Sequence, residues 1–198
     1  MVGFPWRLDD DDESLYNAML WVSYSKETGK SSIFHIYLKA FLYQTDETWA
    51  VEGPGFTSVY DQAIDAKVGL GICMDLSPYQ FKAPFDKYEF GTFQKNAETR
   101  HIWCCMNWLS PLDCKPAADE TVELEAIQKQ LSYWMQRIIP WLATEDHDPI
   151  SFAVSNRVGT ERGTTFNGCS AVFTKSSRGW SVKHMDRHEE GVVIVDVS

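Results

Sequence analysis

The segment from Val68 to Pro78 constrains the fold more than any other stretch of this chain. An apolar run that contains Gly69 and Gly71 leads to Cys73, and a polar stretch that ends in proline follows at once. This pattern predicts a buried strand that turns sharply into a helix, with glycines that let neighbouring backbone approach closely. Such a strained turn presents the side chain at its apex to a cleft.

Cys73 has two interpretations at this stage. Backbone N–H groups at the start of a helix favour the thiolate, which is the reactive form of cysteine. A free cysteine is, however, most often a small buried residue of the core. The rest of the chain has to separate a nucleophile from a packing residue.

Composition limits the classes of partner. The 198 residues suffice for one well-packed domain, and eight tryptophans predict a large core or an aromatic-lined pocket. The net charge of −10 argues against nucleic acid and anionic membranes, because both need a basic surface on the protein. A neutral or cationic substrate fits this charge better.

Cysteine usage and the absence of targeting signals indicate the compartment. The five cysteines form no Cys-x-x-Cys pair, and no histidine completes a zinc pattern. The N-terminus has no secretory signal, and no apolar stretch approaches the length of a membrane span. We therefore expect free thiols and a cytoplasmic protein, with mitochondrial and nuclear pools left open.

Hydrophobic patterns predict a single layered α/β domain over residues 1–198, without a repeat or a linker. The clearest helix covers residues 120–139, where Ile127 and Trp134 share one apolar face and Pro140 follows. A shorter helix is predicted at 84–94. The predicted strands are 2–5, 17–24, 32–38, 57–60, 68–72, 101–109, 150–155, 169–174 and 192–197.

Three residues have complementary chemistry. Lys39 closes a predicted strand, Glu47 lies in the polar segment after it, and Cys73 lies at the predicted elbow. A cysteine that attacks a carbon–nitrogen bond needs a nearby cation, because an ammonium favours the thiolate and stabilises the oxyanion. It also needs a carboxylate that carries a proton from the thiol to the leaving amine. Taken singly, Lys39 and Glu47 also fit ordinary solvent-facing charges.

Six segments carry a resemblance to a known family: Tyr37–Leu42, Asp46–Glu47, Glu52–Gly53, Gly71–Asp75, Asn156–Glu161 and Phe166–Ser170. In order and spacing they resemble the nitrilase superfamily of carbon–nitrogen hydrolases over nearly the whole chain. Within that superfamily, Met74–Tyr79 and Phe81–Phe85 are similar to the fungal protein N-terminal asparagine amidohydrolases. That resemblance implies a four-layer α-β-β-α sandwich.

The same resemblance implies an activity. Enzymes of this family convert an N-terminal Asn, and in fungi Gln, of a protein or peptide to the acid, which feeds the N-degron pathway. Cys73 would form a thioester with the side-chain acyl group and release ammonia. Lys39, with the backbone N–H of Met74, would stabilise the oxyanion. Glu47 would orient the lysine and the substrate.

Further roles follow from the resemblance. Asp75 would either cap the elbow helix or receive the substrate's ammonium. Trp108 would line the pocket unless it is a core residue, and Glu161 would approach it unless it is held in an ion pair. No metal or organic cofactor is implied, since thiolate, ammonium and carboxylate supply the chemistry. Homo-oligomers that associate through a helical face are expected from the family.

One departure from the family pattern concerns the general base. The family's first glutamate lies upstream of the segment that Val2–Trp6 resembles. We therefore expect the first strand and helix of the sandwich to be missing, and this chain to hydrolyse weakly or not at all. Two alternatives stay open: a small-molecule amidase, nitrilase or carbamoylase of the same superfamily, and a non-catalytic truncated partner.

Overall fold

The computed structural model describes residues 2–7, 13–110, 120–143, 149–177 and 179–197. The strands are β1 (Val2–Trp6), β2 (Tyr16–Ser25), β3 (Lys30–Leu38), β4 (Thr57–Asp61), β5 (Ala66–Ile72), β6 (His101–Met106), β7 (Ile150–Asn156), β8 (Val158–Glu161), β9 (Thr164–Asn167), β10 (Ala171–Ser176) and β11 (Gly179–His184). The helices are α1 (Glu89–Asn96), α2 (Glu120–Arg137) and α3 (Ile139–Leu142).

The strands form two larger sheets and one hairpin. The first sheet is antiparallel in the order β1-β2-β3. The second has six strands in the order β11-β10-β7-β6-β5-β4, and β5, β6 and β7 at its centre are parallel. The third is the β8–β9 hairpin. Because the central strands are parallel, their carboxyl ends meet at one edge, where α/β proteins place their ligands.

The two larger sheets pack against each other through an apolar core. Alternate residues of β2, β3 and β5 point into this interface, as the two-residue period of strands requires. The buried residues at this interface are Met19, Trp21, Tyr37, Val68, Leu70 and Ile72. This packing fixes the end of β3 beside the end of β5, and so brings the region of Lys39 next to that of Cys73.

The opposite face of the six-stranded sheet carries the helices. Ile102, Cys104 and Phe152 of β6 and β7 pack with Phe90 of α1 and Trp134 of α2 in a second buried core. The helical layer therefore covers the face of the sheet that points away from the first sheet.

The atoms that come close to the glycines of β5 are side-chain atoms, and not the neighbouring backbone that the sequence predicts. A Cβ atom on Gly71 would lie 2.9 Å from Cys104 Sγ and 3.0 Å from the Phe90 ring, both too close for a side chain. A Cβ on Gly69 would lie 2.1 Å from Gln94 Oε1. Gly71 therefore leaves no room for a side chain, whereas at Gly69 the end of the Gln94 side chain would have to shift.

The layers thus follow one another as helices, six-stranded sheet and three-stranded sheet. Among the described residues no helix covers the outer side of the three-stranded sheet, where Val22, Tyr24 and Ile33 are exposed. The predicted layered α/β class is confirmed. None of the described helices is both long and apolar enough to cross a membrane.

Some element predictions are wrong at the C-terminal end. Residues 192–197 form no strand, and Val192 and Ile194 are 85% and 80% exposed, because no described strand pairs with them. The strands β8, β9 and β11 were not predicted. β11 is an edge strand whose six residues are all exposed, so its sequence lacks the apolar alternation of a half-buried strand.

Candidate active site

Cys73 lies at a strained elbow, as the sequence predicts. It follows β5 directly and begins a 3-10 turn, Cys73–Leu76. Its φ of +46° falls in the left-handed region, which a residue with a side chain seldom adopts. Strain of this kind persists only where surrounding contacts impose it, and it concentrates at functional sites.

Asp75 supplies much of the support for this elbow. Its Oδ2 accepts hydrogen bonds from the Ile72 N–H (2.7 Å) and the Tyr37 hydroxyl (2.9 Å). Its Oδ1 accepts from the N–H groups of Ala40 (3.1 Å) and Phe41 (2.8 Å). The carboxylate therefore caps the elbow and ties it to the backbone that follows Lys39. With 1% of its surface exposed, Asp75 matches the capping interpretation and presents no open face to a substrate.

Arg137 supports the elbow from the helical side. This buried residue in the last turn of α2 donates from Nε to the Leu76 carbonyl (2.8 Å) and from Nη1 to the Phe85 carbonyl. Its Nη2 pairs with Glu89 at 3.2 Å. This role is not apparent from the sequence, because a basic residue at a helix C-terminus usually faces solvent and the helix dipole explains it there.

Lys39 pairs with Asp46 and not with Glu47. The Lys39 side chain is 2% exposed, and its Nζ lies 2.5 Å from Asp46 Oδ2. The Tyr43 N–H (3.0 Å) and Asn17 Nδ2 (3.1 Å) also donate to the Asp46 carboxylate. Glu47 is exposed on the same short 3-10 turn, and among the described residues it forms no ion pair with the lysine.

The environment of the Cys73 thiol differs from the sequence expectation. Burial raises its pKa, while the Lys39 ammonium and a hydrogen bond from the Asn107 backbone lower it. The charges of Asp46 and Asp75 raise it further, and the net direction is upward. Burial therefore outweighs the groups near the elbow that favour the thiolate. Cys73 needs a base that accepts its proton before or during attack.

A cavity of about 490 Å³ opens at Cys73. It lies beyond the carboxyl ends of β5 and β6 and beneath α2, and its size suits a small ligand or the end of a peptide. The side chains that line it are mostly apolar or aromatic. They are Tyr43, Cys73, Met74, Ser77, Phe81, Asn107, Trp108, Leu109, Ala126, Lys129, Gln130, Tyr133 and Asn167.

Of two further residues predicted from the sequence, Trp108 lines the cavity and Glu161 does not. Trp108 lines the cavity, where its ring packs 5.4 Å from that of Tyr133. Glu161 is exposed on β8, forms an ion pair with Arg157 and does not line the cavity. Two lining residues on α2, Gln130 and Tyr133, were missed, because only the fold brings α2 over the elbow.

No protein-family model matches the chain. A curated relative, the protein N-terminal amidase of Schizosaccharomyces pombe, is 31% identical over 205 residues, which cover 98% of this chain and 68% of that protein. The chain belongs to the protein N-terminal amidase family. The protein N-terminal amidase of Saccharomyces cerevisiae is 34% identical over 152 residues. That alignment covers 67% of this chain and 32% of the relative, so the chain matches about a third of the relative's length.

Solved structures agree with this family in fold. An N-terminal amidase crystallised with an Asn-Glu peptide superposes with a TM-score of 0.67 at 20% identity, covering 94% of this chain and 75% of that one. A carbon–nitrogen hydrolase from Helicobacter pylori G27 gives 0.60 at 16% identity, covering 95% and 58%. The resemblance to the carbon–nitrogen hydrolases is therefore confirmed at the level of the fold.

The assignment of the Lys39 partner can be tested with two neighbouring substitutions. Asp46→Asn removes the charge that pairs with a buried ammonium, and we expect it to lower the free energy of unfolding by ~2 kcal/mol. Glu47→Gln changes an exposed side chain, and its effect should stay within about 0.5 kcal/mol. Urea unfolding of both variants measures the difference. A larger loss for Glu47→Gln would show that Glu47 is the partner.

Asp75 makes stability depend on pH. Burial raises its pKa from 3.8 to about 6, although the Lys39 ammonium and the hydrogen bonds lower it. Between these values the folded protein keeps a proton that the unfolded chain has lost, so stability falls as pH rises through this window. We expect Asp75→Asn, measured by urea unfolding from about pH 4 to about pH 7, to lack this fall. The stability advantage of the wild type should therefore shrink with rising pH, and a growing advantage would contradict the assignment.

Proposed function

We propose that this cavity binds the first residue of a peptide or protein and hydrolyses the side-chain amide of Asn, and of Gln, to the acid. One observation carries the proposal. In a chain of the protein N-terminal amidase family, Cys73 lines a cavity, and the charge of the buried Lys39 ammonium acts to lower the pKa of its thiol. Solved N-terminal amidases with Asn-Glu and Gln-Val peptides support both substrates.

The chemistry uses the groups around the elbow. Cys73 Sγ attacks the amide carbon, and negative charge develops on the carbonyl oxygen. The Lys39 ammonium and the Met74 N–H stabilise that oxyanion. The carbon–nitrogen bond then breaks, and the leaving nitrogen departs as ammonia with the proton that the thiol has given up. Water hydrolyses the thioester, which releases the acid and restores the thiol.

Removal of the thiol proton is the most demanding step of this reaction, because the pKa of Cys73 is raised. Asp75 accepts four hydrogen bonds and Asp46 holds the Lys39 ammonium, so both carboxylates already have structural partners. The family resemblance assigns the general base to a glutamate upstream of the segment that Val2–Trp6 resembles. Asp46 serves here as a positioning residue for Lys39.

The lining of the cavity fits an N-terminal residue. Aromatic faces attract cations, so Tyr43, Phe81, Trp108 and Tyr133 provide a surface for the α-ammonium group of a peptide. The free thiols at Cys73, Cys104, Cys105 and Cys169 fit a reducing compartment such as the cytoplasm. Homo-oligomers through a helical face stay a prediction from the family.

Binding and product analysis test the proposal together. A Cys73→Ser variant should bind an Asn-initiated peptide in calorimetry. It should not bind the isomeric peptide that has Asn in second place. The unmodified protein, in stoichiometric amounts, should convert the first residue of the peptide to the acid, as followed by mass spectrometry.

The two alternatives predict other results. Equal binding and hydrolysis of acetamide or propionamide would identify a small-molecule amidase. Peptide binding without any thioester or acid product would identify a non-catalytic partner.

A further inference from the structure

Gln130 lines the cavity and has an unpaired donor. It lies on α2, lines the cavity and is 6% exposed. Its Nε2 atom is buried and has no hydrogen-bond partner among the described residues. An unpaired buried donor destabilises a protein, so folded proteins rarely keep one without a use. A ligand that supplies an acceptor would pair it.

Neighbouring residues determine which end of the Gln130 amide is free. Arg187 carries only donors, and its Nε donates to Asn167 Oδ1 at 2.6 Å. The oxygen of the Asn167 amide must therefore face Arg187, which turns Asn167 Nδ2 toward Gln130. Nδ2 donates to Gln130 Oε1, and Nε2 is left as the free end.

Arg187 itself is firmly held. Its side chain is fully buried, and Nη1 pairs with Glu123 at 2.6 Å while Nη2 donates to Ser110 Oγ at 2.6 Å. Gly168 has a φ of +56°, and a Cβ there would lie 2.1 Å from the Arg187 carbonyl oxygen. The backbone of Arg187 can thus lie directly against the residue that follows Asn167. The orientation of the Gln130 amide is therefore built into the fold.

We propose that Gln130 Nε2 donates a hydrogen bond to the carbonyl oxygen of the first peptide bond of the substrate, and that Asn167 and Arg187 position it. This inference rests on the proposed function. The side-chain carbonyl of the substrate is directed to Cys73, Lys39 and the Met74 N–H, so the next acceptor along the substrate is the first peptide carbonyl. A small amide lacks that oxygen, and Gln130 is therefore a specificity-determining residue for peptides.

Binding in a Cys73→Ser background tests the contact without turnover. Gln130→Met keeps the length of the side chain but removes the donor, and we expect ~10-fold weaker binding of an Asn-initiated peptide. Gln128→Met makes the same change on the same helix at an exposed position outside the cavity, and it should leave binding unchanged.

Asn167→Asp tests the positioning role. Its carboxylate can accept from Arg187 and from Gln130 Nε2 at once, which turns the Gln130 amide and presents Oε1 to the cavity. The fold keeps its hydrogen bonds, but an acceptor then faces the substrate carbonyl, and binding should weaken by ~10-fold or more. A purely structural role would leave this variant with normal affinity.

A substrate analogue gives a test that does not depend on how the variants fold. An alkene isostere in place of the first peptide bond removes the carbonyl oxygen. The isostere should bind the Cys73→Ser protein more weakly than the peptide does. It should bind the protein with both Cys73→Ser and Gln130→Met with that same low affinity. Equal affinity of the Cys73→Ser protein for peptide and isostere would contradict the proposed role of Gln130 and leave the proposed function standing. Failure of that protein to bind any Asn-initiated peptide would overturn the proposed function as well.

Discussion

Replacing Lys39 with methionine is expected to lower the free energy of unfolding by about 3–5 kcal/mol, because Asp46 would be left buried without its counter-charge. The two side chains are 2% and 11% exposed and their charged atoms lie 2.5 Å apart, so water cannot substitute for the missing ammonium. Urea unfolding at neutral pH, with the midpoint and the slope both fitted, measures the loss.

A second substitution separates stability from chemistry. Lys39→Met combined with Asp46→Asn removes both charges, and the double variant should recover much of the stability, so the two losses should not add. It should not recover thioester formation, because the oxyanion still lacks its ammonium. Loss of one such stabilising group typically lowers turnover by roughly 10²–10³.

The control for this prediction is a lysine in an exposed ion pair. Lys67 lies 3.6 Å from Glu98, with side chains 42% and 71% exposed, so Lys67→Met should change stability by no more than about 1 kcal/mol. If Lys39→Met destabilises the protein no more than Lys67→Met, the buried pair does not hold this region together.

The features that the sequence predicts correctly are local or strongly patterned. The glycines and apolar residues of β5 specify a buried strand, and the abrupt change to polar residues after Cys73 specifies the elbow. The apolar period of α2 specifies its length to within a few residues. Lys39 directly after β3 follows from the same reasoning, and the packing of the two sheets brings the region of Lys39 next to that of Cys73.

The features that the sequence does not predict depend on direction or on distant contacts. Asp46 and Glu47 are adjacent carboxylates, and only the 3-10 turn decides which one faces Lys39. The raised pKa of Cys73 results from burial by several elements, which no local pattern records. The hydrogen bonds of Gln130 and Arg187 with Asn167 join residues 37 and 20 positions apart.

Removal of the Cys73 thiol should have the largest effect on activity. Cys73→Ala leaves no nucleophile, and we expect it to abolish whatever thioester formation and ammonia release the unmodified protein shows. Trapping of the acyl-enzyme with hydroxylamine, followed by mass spectrometry, measures the intermediate directly. Cys105→Ala, at a half-buried thiol one strand away, is the matched control and should retain the activity of the unmodified protein.

A comparison of alanine with glycine at position 73 tests why the site is strained. Both remove the nucleophile, but the φ of +46° suits glycine and strains alanine. Cys73→Gly should therefore be more stable than Cys73→Ala by about 1 kcal/mol in urea unfolding, although both are inactive. That order would show that the fold holds Cys73 in a conformation that opposes stability and presents the sulfur to the cavity. The opposite order would mean that the elbow is relaxed, and its geometry would then provide no argument for a nucleophile.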